Sequence, residues 1–345
     1  MKRRTFIATG LGLTSVCAAG LPYLSHLSPR PDTQKKLTEQ AAVTSGAALA
    51  FGTTISIDVI HSDQPLARTA ISAALAAAQE IDRLMSLHSE HSQVTQLNRH
   101  AYLNAAHPHL LKVLTSAAEL SALSDGAFDI TVQPLWLSYQ EAAAHQTLPS
   151  DDERHRAMGL VDWRQISLNG NAVKFNRPGM SVTLNGIAQG YAVDVARQVL
   201  LEHGITHALL DTGEFSARGN KLNHQAWSVG IRDPRNTQAL TGVAPLLGRS
   251  LATSGDYETS FTPDFAHHHI FDPGSGDSPT ELASVSVIAD TGLLADGLST
   301  AMMVLGVEKS LSLAARLEGV DVLLIGKNGK QWQSPAFPLQ VHQTI

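Results

Sequence analysis

Asp296 and Thr300 stand four residues apart in the stretch Ala295-Asp296-Gly297-Leu298-Ser299-Thr300-Ala301. On a helix that spacing puts a carboxylate and a hydroxyl on one face, where both can hold one Mg²⁺ through oxygen. Such an ion usually keeps positions open for phosphate, so the pair points to phosphoryl chemistry on a nucleotide. Upstream, His269-Ile270-Phe271-Asp272-Pro273 sets an imidazole that titrates near neutrality beside a turn, which is where a base can face a cleft. A plainer alternative stays open for the pair: Asp296 can cap or solvate a helix start, and Thr300 can bond back to a carbonyl.

Two further segments carry groups of interest. In Asn185-Gly186-Ile187-Ala188-Gln189-Gly190, two glycines bracket a bend ahead of a helical pattern, a place where free amides attract anions. The spacing fits neither of the common glycine-rich nucleotide motifs, and a tight connection explains it equally well. Thr253-Ser254-Gly255-Asp256-Tyr257 reads as a loop with hydroxyls, a hinge and a carboxylate. The run His267-His268-His269 is discounted as a metal site, because neighbours on extended chain point to opposite faces and cannot converge on one ion.

Hydrophobic periodicity supplies the elements that must position these groups. Strands are expected at Phe51 to Ile60, Val182 to Leu184, Ala208 to Leu210, Trp227 to Ile231, Ser284 to Ala289 and Val320 to Ile325. Helices are expected at Arg68 to Met85, at Pro108 to Leu123 with a stop at Asp125-Gly126, at Tyr191 to Leu201, at Leu294 to Leu305 and at Glu308 to Glu318. Ile166 to Leu168 and Ala172 to Phe175 flank Asn169-Gly170-Asn171 as a hairpin. This irregular mixture predicts an α+β fold, not a regular βαβ winding.

A chain of 345 residues, 43% hydrophobic and 16% charged, has ample material for a core. Its net charge of −6 and lack of a basic stripe exclude a nucleic-acid surface. Met1-Lys2-Arg3-Arg4-Thr5-Phe6 followed by an uncharged stretch to about Ser25 reads as a twin-arginine export signal, which places the mature protein in the periplasm. Residues 26–46 read as a linker, and the folded domain is expected over 47–345. The single cysteine, Cys17, lies in the leader, so neither a disulfide nor a thiolate metal site is expected in the mature chain.

With these segments in hand, the chain resembles the ApbE family of FAD:protein FMN transferases, and most closely its branch linked to nitrous oxide reductase maturation. The likeness runs in colinear order from about residue 47 to 335. It rests on Phe51-Gly52-Thr53, Ser86-Leu87-His88, Gly126-Ala127-Phe128-Asp129-Ile130-Thr131-Val132, Leu184-Asn185-Gly186-Ile187-Ala188-Gln189-Gly190-Tyr191-Ala192-Val193-Asp194, Thr253 to Tyr257, His269 to Pro273 and Ala295 to Thr300.

The resemblance implies a single domain of mixed strands and helices that binds FAD, with the diphosphate on Mg²⁺. By position, Asp296, Thr300 and the main-chain oxygen of Ala192 would hold the metal. Phe51 and His88 would flank the flavin, Ala127, Phe128 and Asp129 would line the nucleotide pocket, and Gln189, Val195 and Ile270 would complete its wall. The implied reaction moves FMN from FAD to a Ser or Thr hydroxyl of an acceptor protein, expected to be a membrane-bound electron-transfer protein, and releases AMP. His269 is the candidate base and Asp256 its assistant. Three positions depart from the common family pattern: His88 for an aromatic residue, Gln189 for a lysine, and Gly213-Glu214-Phe215 for Gly-Gly-Asp. Those departures keep two alternatives open, a periplasmic FAD carrier without transferase activity and a Mg²⁺-dependent FAD pyrophosphatase.

Overall fold

The computed structural model describes residues 41–341. The expected leader, Cys17 and the expected linker up to residue 40 lie outside the described residues. The remainder of that expected linker does not hold, because β1 (Ala42–Ala50) already pairs along its whole length with β2 (Thr53–His61). Small residues at alternate positions let β1 lie flat under a helix, a pattern that lacks the bulky alternation by which strands are recognised. The two-residue turn Phe51-Gly52, with φ of 53° and 73°, has the left-handed geometry that suits a tight hairpin.

Helices α1 (Gln64–Met85) and α2 (Gln93–His100) follow, and β3 (Tyr102–Leu103) leads to α3 (Pro108–Leu123). α4 (Gln133–Ala144) and α5 (Asp151–Met158) precede the expected hairpin of β4 (Ile166–Asn169) and β5 (Ala172–Phe175). Next come α6 (Ala188–Glu202), β6 (Ala208–Asp211), β7 (Phe215–Arg218), β8 (Trp227–Arg232), β9 (Leu240–Leu246) and β10 (Ser250–Gly255). After a long loop, β11 (Leu282–Ala289), α7 (Gly292–Arg316), β12 (Asp321–Gly326) and β13 (Gln331–Gln333) complete the domain.

Eight strands form one antiparallel sheet in the order β1-β2-β6-β7-β10-β11-β12-β13. One face carries α1, α6 and α7. α1 starts where Asp63 accepts the Leu66 amide at 3.0 Å, and it buries Ala67, Ala70, Ile71, Ala74, Ala78, Ile81 and Met85, the spacing of one helical stripe. Ile55, Ile57 and Val59 of β2 meet that stripe, each fully buried Ile adding about 1.5–3 kcal/mol. The opposite face is covered by the β8–β9 pair through Trp227, Val229, Ile231, Ala244 and Leu246. β11, sandwiched between the two layers, is buried at all eight positions.

Two local expectations change and a third holds. Residues 182–184 are not a strand, since they turn directly into α6, which begins at Ala188, three residues earlier than expected. The segment Thr253 to Gly255 is not a hinge but the end of β10, paired to Ser284 to Ser286 of β11. The two helices expected at 294–305 and 308–318 hold: they run end to end as α7, separated at Gly306, whose φ of 74° lies outside helical backbone.

Candidate active site

A cleft of about 890 Å³ opens where the β1–β2 turn, the start of α6, the end of β10 and the face of α7 meet. Phe51, His88, Ala127, Phe128, Asp129, Gln189, His269, Ile270, Asp296 and Thr300 all line it. Segments up to 249 residues apart in sequence, from Phe51 to Thr300, therefore line one cleft. Glu214, Ser254, Thr183 and Trp136, which were not singled out as site residues, also line it.

Asp296 sits on the second turn of α7 and is 4% exposed. Its Oδ2 accepts the backbone N–H of Gly190 at 2.9 Å. The anion received by the glycine turn is thus the protein's own carboxylate. This contact needs two helix starts to cross closely, and Gly190 permits it: a Cβ there would run into the Gly292 carbonyl and stand 2.6 Å from Asp296 Cβ. The first amides of α7 are also occupied, with Gly292 and Leu293 donating to Asp194 at 2.8 and 2.9 Å.

Thr300 follows one turn later on α7, and its hydroxyl lies 3.2 Å from Ser254 Oγ, which also bonds Ser299 at 2.8 Å. The backbone of Gly186 packs on Thr300, a Cβ at Gly186 falling 2.7 Å from Thr300 Oγ1. Ala192 does not join this group. Because α6 starts at Ala188, Ala192 lies in its second turn, fully buried, with its carbonyl directed along the helix, and the cleft is lined instead by Ala188 and Gln189. Val195 likewise falls outside the lining, half-buried against the hydrophobic core.

Glu214 is the acid that motif reading missed as a site group. It is buried, and its Oε2 accepts the Thr253 amide at 3.1 Å. Burial, and after it the charge of Asp296, pushes its carboxyl well above the usual range. Asp296 is pushed up to about 7, chiefly by burial and secondarily by Asp194, against the opposing Gly190 amide. A buried carboxylate at Asp296 whose charge raises the proton affinity of a second buried acid at Glu214 is a donor set that a hard cation would relieve. Among the described residues no three His, Cys, Asp or Glu side chains form a metal-holding group. The oxygens here fit Mg²⁺ only as an incomplete shell, the remainder falling to hydroxyl, main chain and ligand phosphate.

His269 faces the cleft from the loop after β10. Its Nδ1 lies 3.2 Å from the Thr259 carbonyl, so Nδ1–H donates there and Nε2 keeps its lone pair. Burial lowers its pKa, which leaves the ring neutral and able to accept a proton at pH 7. The three histidines diverge as expected: His267 pairs with Asp277 at 2.7 Å, and His268, buried and pushed down to about 3 by that burial, lies 3.3 Å from the Pro279 carbonyl.

Asp256 makes no hydrogen bond to His269 and acts on it through charge alone, raising the imidazole's proton affinity against the effect of burial. Its fully buried carboxylate accepts two bonds from Arg235, at 2.7 and 2.8 Å, with Lys327 at 3.7 Å. Asp129 is similarly occupied, by the Thr131 amide and hydroxyl at 2.7 and 2.6 Å and the Trp163 amide at 3.1 Å. Gln189 donates to the Thr212 carbonyl at 3.0 Å, and a Cβ on Gly213 would collide with its amide. Two of the departures from the family pattern, at Gln189 and at Gly213-Glu214, are therefore in direct contact.

An antiparallel sheet with one helical layer, and a cleft lined both by aromatic rings and by buried acids, are the surroundings that a ligand joining an apolar ring system to a charged group would require. The chain belongs to the ApbE family, whose sequence model matches residues 51–324. It is 31% identical over 340 residues to a FAD:protein FMN transferase of Salmonella typhimurium, covering 94% of this chain and 95% of the relative. A protein of the same name from Treponema pallidum is 32% identical over 308 residues, covering 81% of this chain and 84% of its own. The crystal structure of the ApbE protein from Thermotoga maritima superposes with a TM-score of 0.78 at 28% identity, covering 87% of this chain and 100% of that one. The apo flavinyl transferase ApbE of Pseudomonas stutzeri gives 0.74 at 29% identity, covering 87% and 97%.

Proposed function

We propose that this chain is a FAD:protein FMN transferase. The oxygen of a Ser or Thr hydroxyl on an acceptor protein bonds to the FMN phosphorus of FAD, the bond from that phosphorus to the AMP oxygen breaks, and AMP leaves. The observation that carries this reading is the meeting in one cleft of a neutral, oriented imidazole at His269 and a buried acid at Asp296. His269 Nε2 takes the hydroxyl proton, Thr259 holding the ring in the tautomer that allows it. Phe51 and His88 flank the ring system at the turn, and Phe128 and Ile270 exclude water from the floor.

Asp296 and Thr300 would hold Mg²⁺, and the turn ahead of α6, whose Gly186 packs on Thr300, is the segment nearest to add a main-chain oxygen in the place first assigned to Ala192. Bound there, the ion supplies charge neutralisation at the diphosphate. The acceptor in this reading is a membrane-associated electron-transfer protein, matured in the periplasm by an enzyme that follows the twin-arginine route. Arg3-Arg4 and the uncharged leader support that placement. Replacing both arginines by lysine and fractionating the cells tests it: the variant should stay in the cytoplasm, and unchanged periplasmic recovery would overturn the route.

Incubation of the purified chain with FAD, Mg²⁺ and candidate acceptor domains tests the reaction itself. In-gel flavin fluorescence on an acceptor together with stoichiometric AMP is the expected outcome. AMP without covalent fluorescence would assign a pyrophosphatase, and tight FAD binding with neither product would assign a carrier.

A further inference from the structure

We infer that the outer edge of β1 is the docking site for the acceptor protein, which adds an extended segment to the sheet and so delivers its hydroxyl residue to the cleft. This rests on the transferase reading above. β1 is the terminal strand of the eight-stranded sheet, and among the described residues nothing pairs with its outer side. Its sequence, Ala42-Val43-Thr44-Ser45-Gly46-Ala47-Ala48-Leu49-Ala50, runs nine residues in unbroken register with no charge and no proline. Edge strands are normally guarded by charge, proline, a bulge or shortness, since a bare edge recruits another strand. The opposite edge of this sheet obeys that rule: β13 is three residues long. β1 has none of these guards.

The geometry of the hairpin identifies the exposed backbone groups. Ala50 and Thr53 flank the two-residue turn and exchange both hydrogen bonds, so bonding to β2 recurs at every second residue back along the strand. Val43, Ser45, Ala47 and Leu49 therefore turn their amides and carbonyls away from β2. Gln79 of α1 reaches the Leu49 carbonyl at 3.1 Å, which fits that phase. The side chains of the same four residues are exposed on the outer face, Val43 at 50% and Leu49 at 76%. Main-chain bonding with shallow contacts for alternate side chains is the way β-addition recognises a peptide.

The occupant follows from where the strand ends. Beyond Leu49 the chain reaches Phe51 and Gly52, which line the cleft. An added strand advances about 3.3 Å per residue, so a segment bonded along Val43 to Leu49 carries its next residues to the cleft mouth. The edge would hold the acceptor backbone extended beside that mouth, with little demand on its sequence.

Ala47→Pro tests the site, since it removes an outward amide that β2 does not use and such positions tolerate proline. The probe is a purified acceptor domain that the full-length wild-type chain renders fluorescent with FAD and Mg²⁺. The variant should raise KM for that domain at least about ten-fold with kcat and FAD affinity within about two-fold. Failure to label any domain with the wild-type chain overturns the transferase reading and this site with it, whereas labelling that Ala47→Pro leaves unaltered overturns the site alone. Hydrogen exchange on the wild-type chain gives an answer even if the variant does not fold. Adding acceptor domain should slow the amides of Val43, Ser45, Ala47 and Leu49. No change would sink the proposal. Slow exchange of these amides without acceptor would do so too, assigning the edge to a second copy if it depends on concentration and to residues 1–40 if it does not.

Discussion

The carboxylate of Asp296 accepts the backbone N–H of Gly190 at 2.9 Å, joining the face of α7 to the first turn of α6. One contact thus fixes both the acid and the turn that carries Gln189 into the cleft. Its existence depends on a missing side chain, because the two helix starts meet where only hydrogen fits.

Gly190→Ala should therefore be destabilising and inactivating together. Overpacking against backbone costs about 1–3 kcal/mol, and the displaced carboxylate loses its amide donor. Denaturant melts and FAD turnover check this, and a variant with wild-type stability and rate would contradict the packing described.

Asp296→Asn separates charge from shape. Asparagine keeps an oxygen for the Gly190 amide but removes the anion, so FAD binding should weaken modestly while Mg²⁺-dependent turnover falls to background. Turnover that retains its Mg²⁺ dependence would refute Asp296 as the metal ligand.

The same residue sets a pH dependence. Its folded pKa, about 7, lies above the ordinary carboxylate value of 3.8, so its stabilising contribution is complete below about pH 4 and is lost as pH rises through 7. Glu214 shifts in the same direction. In EDTA the melting temperature should fall across that window, and Mg²⁺ should flatten the slope. A melting profile in EDTA that is indifferent to Asp296→Asn would show that other groups govern it.

His269→Ala should leave FAD affinity within a few fold and slow transfer by about 10²–10⁴-fold, the usual contribution of a positioned base. Fluorescence titration and initial rates decide, and an undiminished rate would assign the proton to another group.

Asp256→Ala should act on stability. It leaves Arg235 and Lys327 without their shared partner, and breaking a buried pair costs about 3–5 kcal/mol, with the lower end expected because Arg235 is 32% exposed. Urea unfolding measures this, and a loss of turnover with unchanged stability would return Asp256 to a catalytic role.

Spacing alone placed Asp296 and Thr300 on one helical face and made the three histidines diverge, because helix and strand periodicities are local properties of the chain. The elements with strong apolar alternation, α1, α3, β11 and β12, were legible for the same reason. The first half of β1 was read as linker and the end of β10 as a loop because their small and hydroxyl residues carry no bulky alternation, and only pairing with neighbours makes them strands. Residue type showed that Asp256 and Glu214 are acids, yet nothing local distinguished the one tied to Arg235 from the one buried beside Asp296. That difference comes from contacts between segments distant in sequence, where burial and the nearest charge decide whether a carboxylate anchors a loop or faces a cleft.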